Sequence, residues 1–317
     1  IYTDGPYARG FGLVDLSAGD GMGTISGAVI TGNQIIGENL TDSATYGVTL
    51  RGDIENALIT DNTISNVDIG IWVRPGLGTS PVCPSISNDI SENQITPVTT
   101  NVMNDCTSGS IDVSPNWWGS ILGPAAGSFS GTAVYDPWCG DAACSFLVSA
   151  TEPAESGFYV QDGELRVKGN INIPGGIVIN EPHLTILLED GTVIQNNSPC
   201  FIVDASYTTI TTESIGGAKC VPTDGSNGIN VAADLVNIII EGIEFDGTGQ
   251  TTGSGVAFAG AITDVQVVDN WFHNLGGSGI AFGGAVNNNQ GIQGNLFQAL
   301  GADAIVSPTM AVNAEYN

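Results

Sequence analysis

The sequence repeats short apolar runs at intervals of 23 to 31 residues. Gly, Asn, Asp and Thr interrupt these runs, and none of them has the 3.6-residue periodicity of a helix. The recurring positions include Asn33, Asn62 and Asn93 in the first half, and Gly228, Gly255 and Gly279 in the second. An interval of this length, filled by short strands, is typical of one turn of a parallel β-helix.

The repeat predicts an all-β fold: a right-handed parallel β-helix, or β-solenoid, built of two tandem segments. Successive turns of such a solenoid stack at about 4.8 Å, so equivalent residues lie above one another. Apolar residues at alternate positions are therefore expected to form stacks inside the solenoid. The residues of these stacks are Val48, Leu50, Ile71, Val73, Val256, Phe258, Ile280 and Phe282.

Asparagine recurs at one place in successive turns of the first half, at Asn33, Asn62 and Asn93. Asparagine tolerates left-handed backbone, and its side-chain amide can hydrogen-bond the equivalent amide of the next turn. We therefore expect a structural ladder of these residues rather than a catalytic role.

The charge of the chain excludes one class of partner. Six Lys and Arg are outnumbered by 33 Asp and Glu, which gives a net charge of −27. Nucleic-acid binding needs Lys and Arg to neutralise phosphates, so no nucleic-acid partner is predicted, and an anionic membrane surface is equally unfavourable. The sequence has no run of 18 apolar residues, so membrane insertion is not expected.

The six cysteines form an even set without the CxxC spacing of zinc sites. Two pairs are separated by about one turn of the repeat, and the third pair closes a short loop. The predicted disulfides are Cys83–Cys106, Cys139–Cys144 and Cys200–Cys220. Six cysteines allow other pairings, and this is the one that the repeat favours. Disulfides need an oxidising compartment, which predicts an extracellular or cell-surface protein.

A tryptophan-rich stretch carries a family resemblance. Asn116-Trp117-Trp118-Gly119 is followed by a Pro-Trp pair that ends at Trp138. This stretch resembles the closing segment of secreted bacterial and archaeal right-handed β-helix repeat proteins, and the other turns resemble the repeat of pectate-lyase-like proteins. The resemblance implies a large surface or secreted protein, in which these residues are structural and the tryptophans pack over the end of a segment. It implies no activity, because the repeat occurs in enzymes, adhesins, surface-layer proteins and phage fibres alike.

The same stretch predicts how the chain is divided. A first segment is expected over residues 1–145, a short acidic linker over 146–157 and a second segment over 158–317. Residues 311–317 are similar to those that precede the Trp-Trp-Gly motif, and the first segment begins without opening turns. Both ends are therefore expected to be cuts through a longer solenoid, and the predicted partners are copies of the chain, arranged head to tail.

Two arginines are the candidate contacts for a ligand. Arg51 and Arg74 follow equivalent strands 23 residues apart, and we expect them to stack on one edge. With Trp72 they could contact a cell-surface polysaccharide through a sugar carboxylate and an outward-facing ring. The interpretation that we prefer is a salt-bridge ladder with the nearby Asp53 and Asp68.

Signals for catalysis and for metal binding are sparse. His273 is expected in a turn after Phe272, and neither it nor His183 has a neighbourhood suited to catalysis. Calcium is the candidate cofactor, because so many carboxylates lack cationic partners. The weak candidate clusters are Asp15 with Asp20, and Glu241 with Glu244 and Asp246. A solvated acidic face without an ion is the reading that we prefer.

These observations predict a non-enzymatic, extracellular structural β-solenoid that serves as a subunit of a surface layer, filament or adhesin. The alternative is a polysaccharide-active β-helix enzyme or a carbohydrate-binding module. A catalytic solenoid should present at least three converging polar side chains in a groove on one face.

Overall fold

A computed structural model describes residues 12–18, 23–37, 45–77, 81–85, 87–97, 99–107, 109–196, 199–307 and 314–315. The chain divides into two units, Ile1–Val148 and Ser149–Asn317. The division falls inside the predicted linker 146–157, where Leu147–Ser149 is itself a strand.

Within the described residues the fold is all-β and contains no helix, which confirms the predicted fold class. Short parallel strands stack turn upon turn and form a β-solenoid of about ten turns. None of the described residues belongs to a helix that could cross a membrane.

The first unit contains three parallel ladders of strands. Ladder A consists of Gly12–Ser17, Tyr46–Arg51, Ile69–Arg74, Thr100–Asn104 and Phe129–Ser130. Ladder B consists of Val29–Thr31, Leu58–Thr60 and Asp89–Ser91, and ladder C of Gln34–Ile36, Thr63–Ser65 and Gln94–Thr96. Shorter pairs are Ile25–Ser26 with Ile54–Glu55, Ile111–Asp112 with Ala133–Val134, and Trp138–Cys139 antiparallel to Leu147–Ser149.

The second unit opens with an antiparallel hairpin, Gly157–Gln161 with Glu164–Lys168, and continues in parallel ladders. Ladder D extends this hairpin through Thr185–Leu188, Thr208–Thr212, Leu235–Glu241, Ile262–Val268, Val286–Gln293 and Ala314–Glu315. Ladder E consists of Asn170–Ile171, Val193–Asn196, Ala218–Pro222, Ile243–Asp246, Trp271–His273 and Leu296–Gln298. Ladder F consists of Ile177–Ile179, Phe201–Val203, Ile229–Val231, Val256–Phe258, Ile280–Phe282 and Ile305–Val306.

Alternate residues of each strand point inward and form the core. Every member of the predicted apolar stacks is at most 3% exposed. In the second unit the rings of Phe245 and Phe272 stack at 4.8 Å, and those of Phe258 and Phe282 at 4.7 Å. Each buried phenylalanine contributes about 1.5–3 kcal/mol by leaving water, so the regular stacking of turns stabilises the solenoid directly.

The turns place left-handed backbone one residue before the asparagines, not at them. Gly32, Asp61 and Glu92 have φ of 67°, 57° and 57°, and each precedes a ladder asparagine. Our expectation that the asparagines themselves supply the left-handed residue is therefore wrong. Their contribution is the side-chain amide, whose oxygen accepts hydrogen bonds from the preceding asparagine of the ladder.

All three predicted disulfides are formed: Cys83–Cys106, Cys139–Cys144 and Cys200–Cys220. The first and third link cysteines 23 and 20 residues apart, slightly less than the length of one turn. Cys220 is the register partner of Ile194, so the third disulfide crosses from one turn to the next without joining equivalent positions.

Candidate functional site

The asparagines of the first unit form a continuous hydrogen-bonded ladder. Asn33, Asn62 and Asn93 each donate from the backbone N and from Nδ2 to Oδ1 of the next asparagine, over 2.8–3.0 Å, and the series ends at Asn116. Asn93 is fully buried, and its Nδ2 also donates to the carbonyls of Ile59 and Ser91. These amides are engaged in holding turns together, which leaves them no free group for catalysis.

The tryptophans of the Trp-rich stretch lie inside the first unit. Trp117, Trp118 and Trp138 are 9%, 6% and 3% exposed. Trp138 donates from Nε1 to the carbonyl of Ile121 over 3.0 Å, and Trp117 pairs through its backbone with Asn93 and Ile95. Gly119, which ends the motif, has φ of 89°, in the left-handed region. Rings buried to this extent cannot serve as platforms for a sugar.

A cluster of ionisable side chains lies on the outer face of ladder E. Strand alternation turns Lys219, Glu244, Asp246 and His273 outward, because their neighbours Cys220, Phe245 and Phe272 fill the core. Register then brings them together across three turns: Lys219 pairs with Glu244, and Asp246 pairs with His273. We call these four residues the ladder E cluster.

The members of the ladder E cluster bond to one another. The Lys219 ammonium lies 2.7 Å from Glu244 Oε1 and 3.3 Å from Asp246 Oδ2. His273 Nε2 lies 2.8 Å from the same Glu244 oxygen, and the His273 ring packs against Trp271 with centroids 4.2 Å apart. His273 is 8% exposed and is buried, whereas the Lys219 side chain is 33% exposed, so the network reaches the surface at its lysine.

His273 has polar neighbours at both ring nitrogens. Nε2 lies 2.8 Å from Glu244 Oε1, whose carboxylate accepts the hydrogen bond. Nδ1 lies 2.9 Å from Asn274 Nδ2 and 3.5 Å from Asp246 Oδ1. Lys219 carries a positive charge between the two carboxylates.

The electrostatics of the cluster favour an ionised Asp246 and a charged Lys219. Burial by itself would raise the pKa of Asp246, but hydrogen bonds from Thr248 and Lys219 outweigh it, and the pKa lies below its ordinary value. The hydrogen bond to Glu244 raises the pKa of Lys219, with a further contribution from Asp246. The ammonium thus remains charged between the two carboxylates at neutral pH.

Three residues of this cluster could hold a metal ion. Ligand atoms of Glu244, Asp246 and His273 lie within 4.8 Å of one another. One imidazole and two carboxylates suit zinc or another transition metal better than calcium, which prefers oxygen ligands. The Lys219 ammonium already pairs with both carboxylates and Asn274 engages Nδ1, so a metal would have to displace both partners.

The predicted acidic clusters for calcium are brought together only in part. Glu244 and Asp246 are neighbours, whereas Glu241 ends a strand of ladder D and is not in the group. Asp15 accepts a hydrogen bond from Ser17, and Asp20 lies outside the described residues.

The second polar feature is the pair formed by Arg51 and Arg74, which we call the arginine pair. They are register partners on adjacent strands of ladder A, as the spacing predicts. The Arg74 guanidinium lies over the Trp72 ring, 3.8 Å from its centroid. Burial, and after it the charge of Arg51, lower the pKa of Arg74.

The predicted salt-bridge ladder of these arginines is not formed. Asp68 accepts from the backbone N of Thr45 over 2.6 Å, and Asp53 accepts from Thr24. Among the described residues neither guanidinium has a salt bridge or a hydrogen bond. Both aspartates are close in sequence to an arginine, but other donors hold their carboxylates.

The prediction for His273 is also wrong. It ends the strand Trp271–His273 instead of lying in a turn, and its neighbourhood is the most strongly coupled polar cluster that the structure describes. The repeat contained the information needed to find this neighbourhood. Its interval of 27 residues places Trp271 and His273 one turn after Glu244 and Asp246. His183, by contrast, stacks on Tyr207 with centroids 4.5 Å apart.

No protein-family model, curated protein or solved structure matches the chain.

Proposed function

We propose that the protein is a non-enzymatic, extracellular structural β-solenoid, a subunit of a surface layer, filament or adhesin. The observation that carries this proposal is the continuous bonding between turns: in-register ladders, the asparagine ladder and disulfides one turn apart hold each turn to the next. Such bonding suits a rigid element under mechanical or chemical stress outside the cell.

Three disulfides support the extracellular assignment, because cytosolic thiols are kept reduced. The resemblance of Asn116-Trp117-Trp118-Gly119 to the closing segment of secreted β-helix proteins supports it further. The acidic surface suits a secreted protein that must remain soluble at a net charge of −27.

The electrostatics of the ladder E cluster support a non-enzymatic role. A glycosidase needs one carboxylic acid with a raised pKa that donates a proton. Here the pKa of Asp246 is lowered, and the carboxylates share one ammonium. The network is thus bonded within itself rather than arranged to transfer a proton.

Apolar side chains on edge strands support self-assembly. In the first unit Val29 and Ile36 lie on strands that pair on one side only among the described residues, and they are 63% and 53% exposed. In the second unit Leu296 and Val306, on the last described strands of ladders E and F, are 57% and 38% exposed. Exposed edges of this kind invite a further strand, so we propose that copies of the chain join head to tail.

Sedimentation velocity over a range of concentration and salt tests this assembly. Copies that each carry a net charge of −27 repel one another, so association should strengthen when salt is raised from about 0.05 to about 0.5 M. Leu296→Lys should weaken association. The control is Ile215→Lys, whose residue is 72% exposed in a turn away from the edge strands. A monomer under all conditions, or equal effects of the two substitutions, would refute head-to-tail assembly.

The second candidate function is a polysaccharide-active enzyme or a carbohydrate-binding module. The ladder E cluster favours it, because four polar side chains converge on one outward face. The test is incubation with neutral and acidic polysaccharides, with detection of new reducing ends and of unsaturated products. Glu244→Gln should abolish any activity, and Glu241→Gln on ladder D should not. Absence of products with the unmodified protein would exclude the enzyme.

A further inference from the structure

The arginine pair is exceptional among the cations of this acidic protein. Of its six Lys and Arg, the described part of the chain contains five. Arg166, Lys168 and Lys219 each form salt bridges with carboxylates. Arg51 and Arg74 form none within the described residues, although acidic residues outnumber cations by 33 to 6 in the sequence. The two cations without a carboxylate partner are therefore register partners on ladder A.

The two carboxylates that act on Arg74 electrostatically are already engaged by other donors. Asp15 and Asp105 both raise the pKa of Arg74, so they lie within electrostatic range of it. Asp105 accepts a hydrogen bond from Trp72 Nε1 over 2.7 Å, and Asp15 accepts one from Ser17. They reduce the mutual repulsion of the arginines without occupying their N–H groups.

The aromatic contact leaves the hydrogen-bonding edge of Arg74 free. The Arg74 Cζ lies over the Trp72 ring, 3.8 Å from its centroid, and Tyr46 packs on Trp72 with centroids 4.4 Å apart. A cation–π contact uses the face of a guanidinium, whereas a carboxylate binds the N–H groups in its plane. The aromatic pair therefore orients Arg74 while its donors remain available.

Two buried polar atoms beside the pair also lack a partner within the described chain. Arg51 Nε is buried and makes no hydrogen bond. Thr49 is 4% exposed, faces outward two residues before Arg51 on the same strand, and its Oγ1 makes no hydrogen bond either. Buried polar atoms are nearly always satisfied, so these two leave a donor and a hydroxyl on one face that a bound molecule or water can engage.

We propose that Arg51 and Arg74, with Thr49 beside them, form a binding site for a carboxylate carried by another molecule. A carboxylate that meets a guanidinium side-on accepts from Nε and Nη together, which would satisfy Arg51 Nε. The net charge of −27 opposes a polyanion, so the ligand is a single carboxylate on an otherwise neutral carrier. This site is independent of head-to-tail assembly.

NMR of the arginine side chains tests the proposal on the unmodified chain. The sequence has four arginines, so the Nε–H region contains four signals that single Arg→Lys variants assign. Sodium acetate and a hexuronic acid monosaccharide are titrated separately at constant ionic strength. We expect saturable shifts of the Arg51 and Arg74 signals, while the signal of the ion-paired Arg166 is unchanged. Linear shifts, or equal shifts at Arg166, would overturn the site.

The two probes and one pair of variants distinguish the source of the carboxylate. Saturation at lower concentration by the uronic acid than by acetate identifies a saccharide carrier, and equal affinities identify a bare carboxylate such as an acidic side chain. In Arg51→Gln and Arg74→Gln the remaining arginine signal should no longer saturate, with the circular dichroism spectrum unchanged. A variant that binds both probes as the wild type does would also overturn the proposal.

Discussion

His273 donates a hydrogen bond from Nε2 to Glu244 Oε1 over 2.8 Å, although 29 residues separate them in the sequence. The contact is diagonal: Glu244 pairs in register with Trp271, and His273 pairs with Asp246. Stacking of turns at one register therefore creates a polar network on one outward face. Its four members come from three different turns.

Removal of the central cation should destabilise the second unit. Lys219→Met leaves Glu244 and Asp246 without their shared ammonium, and the carboxylates are only 13% and 17% exposed. We expect a loss of about 1–2 kcal/mol in the free energy of unfolding, measured by denaturant titration. The control, Lys168→Met, removes a cation whose partner Glu152 is 52% exposed, so the carboxylate left behind stays in water and stability should change less. Equal losses in the two variants would contradict a structural role for the cluster.

The asparagine ladder should be weakest at its end and strongest in its middle. Asn93→Ala leaves buried groups of Asn62, Ile59 and Ser91 without partners. We therefore expect the free energy of unfolding to fall by about 2–4 kcal/mol. Asn33→Ala, at the exposed end of the ladder, should cost about 0.5–1 kcal/mol. The measurement is the denaturation midpoint of the first unit, compared at constant m-value. Similar losses in Asn93→Ala and Asn33→Ala would mean that the ladder is not cooperative.

The disulfides should stabilise according to the length of chain that they close. Cys83–Cys106 spans 23 residues and Cys139–Cys144 spans 5, both in the first unit. Loop-closure entropy predicts that replacing the first pair by alanine lowers the free energy of unfolding by about 3 kcal/mol. Replacing the second pair should lower it by about 2 kcal/mol. Thermal unfolding of the two double variants measures this order. Detection of free thiols in the unreduced protein by mass spectrometry would contradict the bonded state itself.

Tyr159 should make the second unit sensitive to alkaline pH. Burial, and then its hydrogen bond to Glu189, raise the pKa of Tyr159 from 10.0 to about 12. The folded state thus retains the proton more tightly than the unfolded state, so its contribution is complete below pH 10 and is lost as pH rises from 10 through about 12. When the pH is raised from about 9 to about 11.5, the free energy of unfolding of the wild type should fall. In Tyr159→Phe the fall should be smaller by about 1–2 kcal/mol.

The comparison for Tyr159→Phe is Tyr207→Phe, because the Tyr207 side chain is 45% exposed. This control should follow the wild-type pH dependence in equilibrium unfolding. If both variants lose the alkaline sensitivity to the same extent, Tyr159 is not its source.

Much of the fold could be predicted because the signals are local. Alternation of inward residues such as Val48 and Leu50 identifies strands, and the interval between repeats identifies the turn length. The disulfides follow from the same interval, because residues one turn apart are close in space. The burial of Trp117 and Trp138 was expected from the resemblance alone.

The polar sites could be predicted less well. Asp53 and Asp68 lie near the arginines in sequence, but Thr24 and Thr45, each just before a strand of another turn, hold their carboxylates. The sequence indicated no suitable neighbourhood for His273 because its partners lie one turn away. Only the register decides which side chains meet.

The sequence by itself determined the strand periodicity, the length of the turn, the inward stacks and the cysteine pairing, since each depends on regular intervals along one chain. The tertiary structure alone decided that Lys219, Glu244, Asp246 and His273 form one network, and that Arg51 and Arg74 lack carboxylate partners among the described residues. The physical reason is that hydrogen bonds and ion pairs require side-chain atoms within about 3–4 Å in favourable directions. A one-residue change of register would turn every one of these side chains to the opposite face.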